Sequence, residues 1–307
     1  MIPRVRQIHF LFLVVTPFLA VNSWVTVNGT LVNGSFVNGA FVNCTFLTFF
    51  YESSIVMLTS AQMLAFQRDG YVVVPAFSSP ALCEQIVAFA KDELAKQAMP
   101  IEFEADTRYP GAPESRTAEG GATARRLLMA TERSPQLLAW ATGEPLKSLL
   151  IQLLGEGVTL SQAHHNCIMT KQPAFSSTTG WHRDSRYWHF ARPELVSAWL
   201  ALGNEQPENG CLWVIPGSHR VVIDVNQLDQ YQFLRTDLAV NEGLLSAALP
   251  VPLAQGDLLL FHSNLFHAAG RNTTGMTKFS MVFTYRSADN PPKAGTRSAL
   301  KPEIPLA

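Results

Sequence analysis

The chain has 307 residues, of which 47% are hydrophobic and 15% charged, and its formal net charge is −1. This length suits one large globular domain or two small ones. The nearly balanced charge gives no electrostatic reason to expect nucleic acid or a membrane surface as a partner. Cys44, Cys83, Cys167 and Cys211 form no CxxC pair, so neither a zinc site nor a disulfide framework is indicated, and the last three are expected to be buried free thiols.

Residues 1–56 differ from the rest of the chain. Arg4 and Arg6 precede an apolar run, Phe10 to Ala20, which is typical of a secretory signal peptide and too short to predict a membrane span. A five-residue repeat follows, from Val27-Asn-Gly-Thr-Leu to Val42-Asn-Cys-Thr-Phe. Because a period of five alternates the valines between the two faces of a strand, the repeat cannot build one apolar sheet face.

Two interpretations of this extension remain open. It is either a cleaved or disordered leader of a secreted protein, or it is not part of the functional protein and translation begins at Met57. The second is favoured, because Thr59 or Ser60 can cap a helix soon after Met57. A cytoplasmic setting would also keep iron and thiols reduced. The expected organisation is an N-terminal extension, 1–56, and a single domain, 57–307.

The domain begins with helical signals. Helices are predicted over 59–69, from Ser79 onward and over Ser134–Leu154. The β-branched run Tyr71–Val74 predicts a first strand. Residues 108–126 are rich in Gly, Pro and Ala, which indicates either a disordered connection or a lid over a site.

The rest of the domain is β-prone. The predicted strands are Val158–Thr170, His182–His189, Leu195–Gly203, Leu212–Pro216, Leu258–His262 and Lys278–Tyr285. Several short strands in series indicate a sandwich or barrel, with the early helices packed on one outer face. The expected fold class is therefore mainly β with flanking helices (α+β).

His182, Asp184 and His267 are the candidate metal ligands. On a strand, residues two apart point to the same face, so His182 and Asp184 are expected to project together while Arg183 points away. His267 follows an apolar run, Leu258–Phe261, that suits a buried strand. Two imidazoles and one carboxylate are the ligands that non-heme Fe(II) oxygenases use, with positions left open for reactants. Zinc hydrolysis could use the same residue types.

Other histidines compete with this assignment, because a lone His-x-Asp pair is a weak signal. His262 also sits at a strand end and is the alternative to His267. His164 and His165 are adjacent on a strand, so one is expected to be buried and hydrogen bonded and the other to lie at the surface.

Further motifs surround these residues in a recognisable order. They are Phe66-Gln-Arg-Asp-Gly-Tyr71, His182-Arg-Asp184, Ala198-Trp-Leu-Ala-Leu202, Glu208-Asn-Gly-Cys-Leu212, Pro216-Gly-Ser-His219, Gly256-Asp257 and His267. From about Leu58 to about Tyr285, this order resembles the phytanoyl-CoA dioxygenase family of Fe(II)/2-oxoglutarate oxygenases. The resemblance implies a double-stranded β-helix (jelly-roll, cupin-like) core with iron held by His182, Asp184 and His267. It also implies 2-oxoglutarate and O2 as co-substrates, with succinate and CO2 as products.

The same resemblance implies a basic residue, eleven positions after the last histidine, that grips the far carboxylate of 2-oxoglutarate. That residue is Lys278, where most relatives carry Arg. Lys278 and Ser280 alternate with Phe279 and Met281, so the cation and the hydroxyl are expected to share the inward face. Lysine binds a carboxylate as a point charge and not as a bidentate fork. Arg271 is the alternative grip, although its turn-like surroundings favour a solvated role.

Lys171 and Trp199 match family positions in or near the co-substrate pocket, while a surface lysine and a core tryptophan are equally compatible with the sequence. Solvated surface roles are the default for Arg125, Arg126 and Arg186, which could also hold a carboxylate or phosphate.

The function expected from the resemblance is hydroxylation of a small, partly apolar metabolite by a monomer or homodimer. Asp184 favours hydroxylation, because related halogenases replace this carboxylate with a small residue so that chloride can bind iron. A non-catalytic jelly-roll that binds metal and a 2-oxo acid, as a sensor or scaffold, is the alternative that Lys278 in place of Arg leaves open.

Overall fold

The computed structural model describes residues 22–27, 30–37, 40–47, 56–107, 109 and 111–306. Two compact units are distinguished, with the boundary between Ser53 and Ser54. In the first unit, β1 (Asn22–Val27), β2 (Thr30–Val37) and β3 (Ala40–Leu47) pair antiparallel in this order. Most of the five-residue repeat lies within these strands, whereas its residues 28, 29, 38 and 39 and the signal-like run up to Ala20 lie outside the described residues.

The second unit contains helices and strands in alternating groups. Its helices are α1 (Ser60–Asp69), α2 (Pro80–Ala95), α3 (Ala130–Arg133), α4 (Pro135–Thr142), α5 (Glu144–Leu154) and α6 (Ala239–Leu245). Its strands are β4 (Tyr71–Val74), β5 (Ile101–Phe103), β6 (Ala124–Leu128), β7 (Val158–Lys171), β8 (Thr179–His182), β9 (Leu195–Ala201), β10 (Leu212–Val214), β11 (Leu249–Val251), β12 (Leu258–His262), β13 (His267–Ala269), β14 (Lys278–Ser287) and β15 (Ile304–Pro305). Within the described ranges, none of the helices combines the length and the apolar character needed to cross a bilayer.

The strands of this unit form a larger and a smaller antiparallel sheet. The larger has the order β4-β12-β9-β14-β7-β6-β5, with β15 also paired to β7, and the smaller has the order β11-β10-β13-β8. Apolar side chains of both sheets, among them Trp199, Leu212 and Phe261, pack together in one buried cluster. The prediction of a mainly β fold with flanking helices and a jelly-roll core is confirmed.

Alternation along β14 determines what each face of the larger sheet contacts. Phe279, Met281 and Phe283 belong to the core shared with the helices, whereas Val282 packs with residues of the smaller sheet. Because side chains alternate along a strand, Lys278 and Ser280 point to the same side as Val282. The predicted inward orientation of Lys278 and Ser280 therefore agrees with the structure.

The first helices begin where the sequence predicts. The Thr59 side chain caps α1 by accepting from Gln62, and the helix ends at Gly70, whose φ of 82° is the left-handed conformation that glycine tolerates. Ser79 caps α2, with Pro80 at its first turn. Cys83, Cys167 and Cys211 are buried and free, as expected.

The single helix predicted over Ser134–Leu154 is wrong in its bounds. Ser134 and Gly143 both adopt extended backbone conformations, so the segment divides into α4 and α5, and α3 precedes them. Prolines stand in the first turns of α4 and α5, where their fixed φ and missing N–H favour a helix start over a helix interior.

The strand predicted over His182–His189 is also wrong. β8 ends at His182, and Asp184–Tyr187 form a turn of 3₁₀-helix, so the two-residue spacing on a strand does not explain the position of Asp184. The connection predicted over 108–126 is shorter than expected. Its last residues belong to β6, which includes Arg125 and Arg126.

Tyr285 connects the larger sheet to helix α4 through a hydrogen bond whose contribution to stability can be measured. Its side chain is fully buried, and its hydroxyl donates to the Ala141 carbonyl of α4 at 2.7 Å. Tyr285→Phe should lower the free energy of unfolding by about 1–3 kcal/mol, because the buried carbonyl loses its partner. The exposed Tyr231, changed to Phe, is the matched control. Equal unfolding midpoints for the two variants in urea would contradict this role.

Candidate metal centre

The two histidines of the candidate metal site face each other across neighbouring strands. His182 ends β8, His267 begins β13, and the two residues are paired in register. Their ring centroids are 4.2 Å apart. Asp184, just beyond the end of β8, places Oδ1 3.9 Å from Nε2 of His182 and 3.7 Å from Nε2 of His267. Strand pairing thus brings together residues that are far apart in the sequence.

Hydrogen bonds fix which ring nitrogen faces the centre. Nδ1 of His182 donates to the Gly180 carbonyl at 2.8 Å, and Nδ1 of His267 donates to the Leu265 carbonyl at 3.0 Å. A carbonyl oxygen can only accept a hydrogen bond, so Nδ1 carries a proton in both rings. In the neutral form of each ring, Nε2 is therefore unprotonated and can bind a metal. Such hydrogen bonds, donated by the ring nitrogen that does not bind the metal, are typical of metal-binding histidines.

The donor set fits a divalent first-row metal. One donor atom from each of His182, Asp184 and His267 lies within 4.8 Å of the others, and all three residues are buried. Burial, followed by the neighbouring His267 and Arg186, lowers the pKa of His182 well below its usual value, which favours the neutral ring. Ser197 donates to the Asp184 carboxylate at 3.4 Å. Two neutral imidazoles and one carboxylate can hold the metal on one side and leave the other side open.

His262, the sequence-based alternative to His267, lies elsewhere. Its ring packs at a tilt against His219, with centroids 5.3 Å apart, and its Nδ1 accepts from the Asn264 N–H at 3.0 Å. Burial and the neighbouring His219 lower the pKa of His262 to about 4. His262 is not part of the cluster of His182, Asp184 and His267.

His164 and His165 depart from the predicted pair of one buried and one surface residue, because both are half-buried. The pairing of β7 with β14 shifts register between Phe283 and Thr284, whose partners are Asn166 and Ser161, so both histidines lie in a bulge. A bulge interrupts the alternation on which that prediction relied. His164 bonds to Ser298, whereas His165 reaches the metal centre, with Nε2 3.5 Å from Oδ1 of Asp184.

A cavity lies beside the candidate metal ligands. It is lined by basic, aromatic and apolar side chains, including His182, His267, His165, Trp199, Phe261, Leu212, Arg125, Arg126, Lys171 and Lys278. The two candidate ligand histidines and the predicted co-substrate residues Lys171, Trp199 and Lys278 therefore line one cavity, whereas Asp184 and Ser280 are not among its lining residues. Arg271 is exposed and donates to the Ser176 carbonyl at 3.1 Å, which matches its predicted solvated role.

Glu205 binds two residues that line this cavity, Lys278 and Trp199, and the sequence did not single it out. Its fully buried carboxylate accepts from Nζ of Lys278 at 2.8 Å, from Oγ of Ser280 at 2.6 Å and from Nε1 of Trp199 at 2.9 Å. Lys278, Ser280 and Trp199, all predicted to serve the co-substrate, thus share one internal carboxylate. Glu205 lies outside the motifs, so its spacing alone offered no signal.

Lys171 differs from the other cations of the cavity. In the described part of the chain, Arg125 pairs with Glu104, Arg126 with Glu102 and Lys278 with Glu205. Nζ of Lys171, by contrast, donates to the carbonyl oxygens of Ser177 at 3.1 Å and Gly270 at 2.6 Å.

The surroundings of Lys171 affect its pKa and leave little space beside its side chain. Its pKa lies well below the usual value because of burial and the nearby Arg125 and Lys278, so an anion beside it would raise that pKa. Gly210 packs closely against it, since a Cβ at this position would lie 2.7 Å from Cδ of Lys171. The Gly210 φ of 79° is also a conformation that side chains disfavour.

The surface role expected by default for Arg125 is wrong. Its side chain is buried, with one guanidinium nitrogen 3.0 Å from Glu104 and further bonds to Ser177 at 2.8 Å and Thr179 at 2.7 Å. This network joins β6 to the segment leading into β8. Arg126 and Arg186 are half-buried.

Known proteins share both the sequence pattern and the fold. The sequence profile of phytanoyl-CoA dioxygenase (PhyH) matches residues 66–280. The ectoine dioxygenase of Nocardia farcinica is 27% identical over 75% of this chain and 78% of its own. The phytanoyl-CoA dioxygenase domain-containing protein 1 of Bos taurus is 24% identical over 74% of this chain and 89% of its own.

Solved structures agree with the fold. The epimerase SnoN, in complex with Fe³⁺, alpha ketoglutarate and nogalamycin RO, has a TM-score of 0.61 at 22% identity, covering 78% of this chain and 86% of its own. EctD from S. alaskensis, with 2-oxoglutarate and 5-hydroxyectoine, has a TM-score of 0.62 at 23% identity, covering 77% and 78%. Because the sequence profile spans more than half of the chain and its motifs lie at the cavity described above, the protein belongs to the phytanoyl-CoA dioxygenase family.

Proposed function

We propose that the protein is an Fe(II)- and 2-oxoglutarate-dependent dioxygenase that hydroxylates a C–H bond of a small, partly apolar molecule and releases succinate and CO2. The observation that carries the proposal is the convergence of Nε2 of His182, Nε2 of His267 and Oδ1 of Asp184 beside a cavity with a buried lysine. Iron at this position would supply the capacity to bind the 2-oxo acid and to activate O2 for C–H oxidation.

The protein residues then have separate tasks. His182 and His267 turn Nε2 toward the site because Nδ1 of each ring donates to a backbone carbonyl. Asp184 provides the negative charge that partly neutralises a divalent ion. The apolar walls of the cavity exclude water. The protein also positions the C–H bond to be oxidised.

We assign the binding of the far carboxylate of 2-oxoglutarate chiefly to Lys171. Lys278, the family position, already neutralises Glu205, so the pair brings no net charge to the cavity. Lys171 has no carboxylate partner among the described residues and faces the same cavity. Lys278, Ser280 and Trp199 complete the co-substrate end as a hydrogen-bonded wall.

The proposal is tested by adding Fe(II) and 2-oxoglutarate to the protein without oxygen. We expect the weak visible charge-transfer band of a 2-oxo acid on iron, and absence of the band would contradict the use of this co-substrate. With oxygen and a pool of metabolites, substrate-dependent release of succinate is expected.

Asp184→Ala should remove metal binding and activity together. The change deletes the charged ligand and leaves two neutral imidazoles, so the Fe(II) affinity should fall by at least about 100-fold, more than the loss typical of a supporting residue. Hydroxylation should be undetectable. Asp237→Ala, at an exposed aspartate, is the control. Metal affinity is measured by anaerobic calorimetry, and an unchanged Fe(II) affinity would refute the ligand assignment.

Lys171→Met tests the assigned grip. Loss of one charge-assisted hydrogen bond should raise the dissociation constant of 2-oxoglutarate by at least about tenfold, read from titration of the charge-transfer band. Lys171→Arg should recover part of the affinity because the charge is retained. The exposed Lys91, changed to Met, is the control. If Lys278→Met weakens binding while Lys171→Met does not, Lys278 is the grip.

Glu205→Gln tests the buried ion pair. The change preserves a hydrogen-bond acceptor but leaves Lys278 without its counter-charge, so the free energy of unfolding should fall by about 3 kcal/mol. Combined with Lys278→Met, the loss should be smaller than the sum of the two single losses, which denaturant unfolding of all four proteins will measure. Strictly additive losses would mean that the pair does not stabilise the fold as a unit.

A second candidate function rests on the same pair. If Lys278 and Glu205 keep the far end of the cavity neutral, the protein could bind metal and a 2-oxo acid without turnover, as a sensor or scaffold. A charge-transfer band without succinate release, for any member of a broad metabolite pool, would favour this binding function.

The proposal also includes the functional unit and its compartment. We place the catalytic unit within 57–307 and the enzyme in the cytoplasm, where Fe(II) and the free Cys83, Cys167 and Cys211 would stay reduced. Mass spectrometry of the N-terminus of the native protein tests the first assignment. A native protein that retains residues before Met57 would contradict it.

A further inference from the structure

Arg186 lies beside the candidate metal centre, and two of its three guanidinium nitrogens have no hydrogen-bond partner. The residue follows Asp184 by two positions in the same 3₁₀ turn. Its Nη1 donates to the Tyr231 carbonyl at 3.4 Å, whereas Nε and Nη2 are buried and have no hydrogen-bond partner. Unpaired buried donors are uncommon in folded proteins and are often explained by a functional partner.

Nε and Nη2, the two nitrogens of Arg186 without a partner, are the nitrogens through which other arginines of this protein bind carboxylates. Arg68 places Nε and Nη2 on the two oxygens of Asp69, and Arg116 does the same with Asp106. This two-point geometry matches a carboxylate or phosphate group. Among the described residues, no acidic side chain forms an ion pair with Arg186.

Aromatic rings hold the Arg186 guanidinium in place. Its Cζ lies 4.0 Å from the ring centroid of Phe233 and 4.4 Å from that of Tyr187. Phe233 also contacts the metal-ligand candidate His182, with centroids 5.7 Å apart. One ring therefore links the guanidinium to the metal centre, and a group bound at Arg186 would lie near the site of oxidation.

Tyr109 and Arg126 add to the positive surroundings. Tyr109, in the connection before β6, packs edge-on against Phe233, with centroids 5.4 Å apart and with Cζ of Arg186 5.7 Å from its ring. Although burial raises the pKa of Tyr109, Arg126, Arg125 and Arg186 outweigh it and leave that pKa lowered. Arg126 lines the cavity, and its Nε is also buried without a partner.

We propose that Arg186 binds an oxyanion group of the primary substrate, a carboxylate or phosphate, through Nε and Nη2, with Arg126 and Tyr109 beside it. The substrate class is thus a small organic acid or phosphate ester with an apolar part that reaches the metal centre. This inference rests on the proposed oxygenase function, since it assigns the substrate end of the same site. Lys171 and Lys278 serve the co-substrate, and Arg186 serves the molecule to be oxidised.

The test uses probes that share a six-carbon tail and differ in the head group: hexanoate, hexyl phosphate, hexanol and hexylamine. Binding is measured without oxygen by calorimetry on the full chain loaded with Fe(II) and saturated with 2-oxoglutarate, so that the probes cannot occupy the co-substrate end. One of the two anions should bind at least about tenfold more tightly than hexanol, and hexylamine least tightly. The tighter anion distinguishes an acid substrate from a phosphate ester.

Variants then locate the preference. Arg186→Gln should weaken the preferred anion by at least about tenfold and leave hexanol unchanged, while Arg186→Lys should retain part of the preference because charge remains without the two-point geometry. Arg68→Gln, which removes an exposed arginine already paired with Asp69, is the control and should bind as the parent does. Circular dichroism verifies that each variant is folded.

The outcomes separate this inference from the proposed function. If the parent protein gives no charge-transfer band, the oxygenase proposal fails, and the probe series on the metal-free chain still decides the role of Arg186. If the band forms and the anions show no advantage over hexanol, or if Arg186→Gln keeps the full preference, the inference alone is overturned. Should Arg186→Gln not fold, Arg186→Lys and the head-group series of the parent carry the decision.

Discussion

Charge buried between the two sheets is the constraint on which the rest of the site depends. An isolated charge in an apolar interior is costly, so buried charges are paired or bound to metals. Arg125 meets this requirement with Glu104, and Lys278 meets it with Glu205. Asp184 has imidazoles and a serine around it and no lysine or arginine paired with it among the described residues, so a divalent cation would supply the missing counter-charge. The buried charges thus fall into two groups. Ion pairs support the fold, whereas a charge without a protein partner can be paired by a ligand.

Much of the fold could be predicted because periodicity is a local property. Alternation along β14 assigns Phe279 and Met281 to the helix side and Lys278 and Ser280 to the other side, and the structure has this arrangement. Capping of α1 by Thr59 is equally local. The bounds of β8 were less predictable, since aromatic residues after Asp184 have the composition of a strand but lie in a turn packed by tertiary contacts.

Parts of the site could not be predicted because they depend on neighbours far away in the chain. Glu205 gains its importance from Lys278, which is remote in sequence, and no spacing rule connects them. His165 faces Asp184 because β7 bulges where it pairs with β14. The free edge of Arg186 is visible only once the surrounding side chains are known. His182, Asp184 and His267, in contrast, could be named from the sequence because metal ligands are limited to a few residue types.

The register of His182 with His267 has a mechanical consequence. β8 is a short strand at the edge of the smaller sheet, and its pairing with β13 is interrupted between His267 and Ala269. An ion held by both rings would act as a cross-link between neighbouring strands, beside the register shift in their pairing. The same metal site would then hold the edge strand β8 against β13, so the metal-loaded and metal-free proteins should differ in the protection of β8 amides from exchange with solvent.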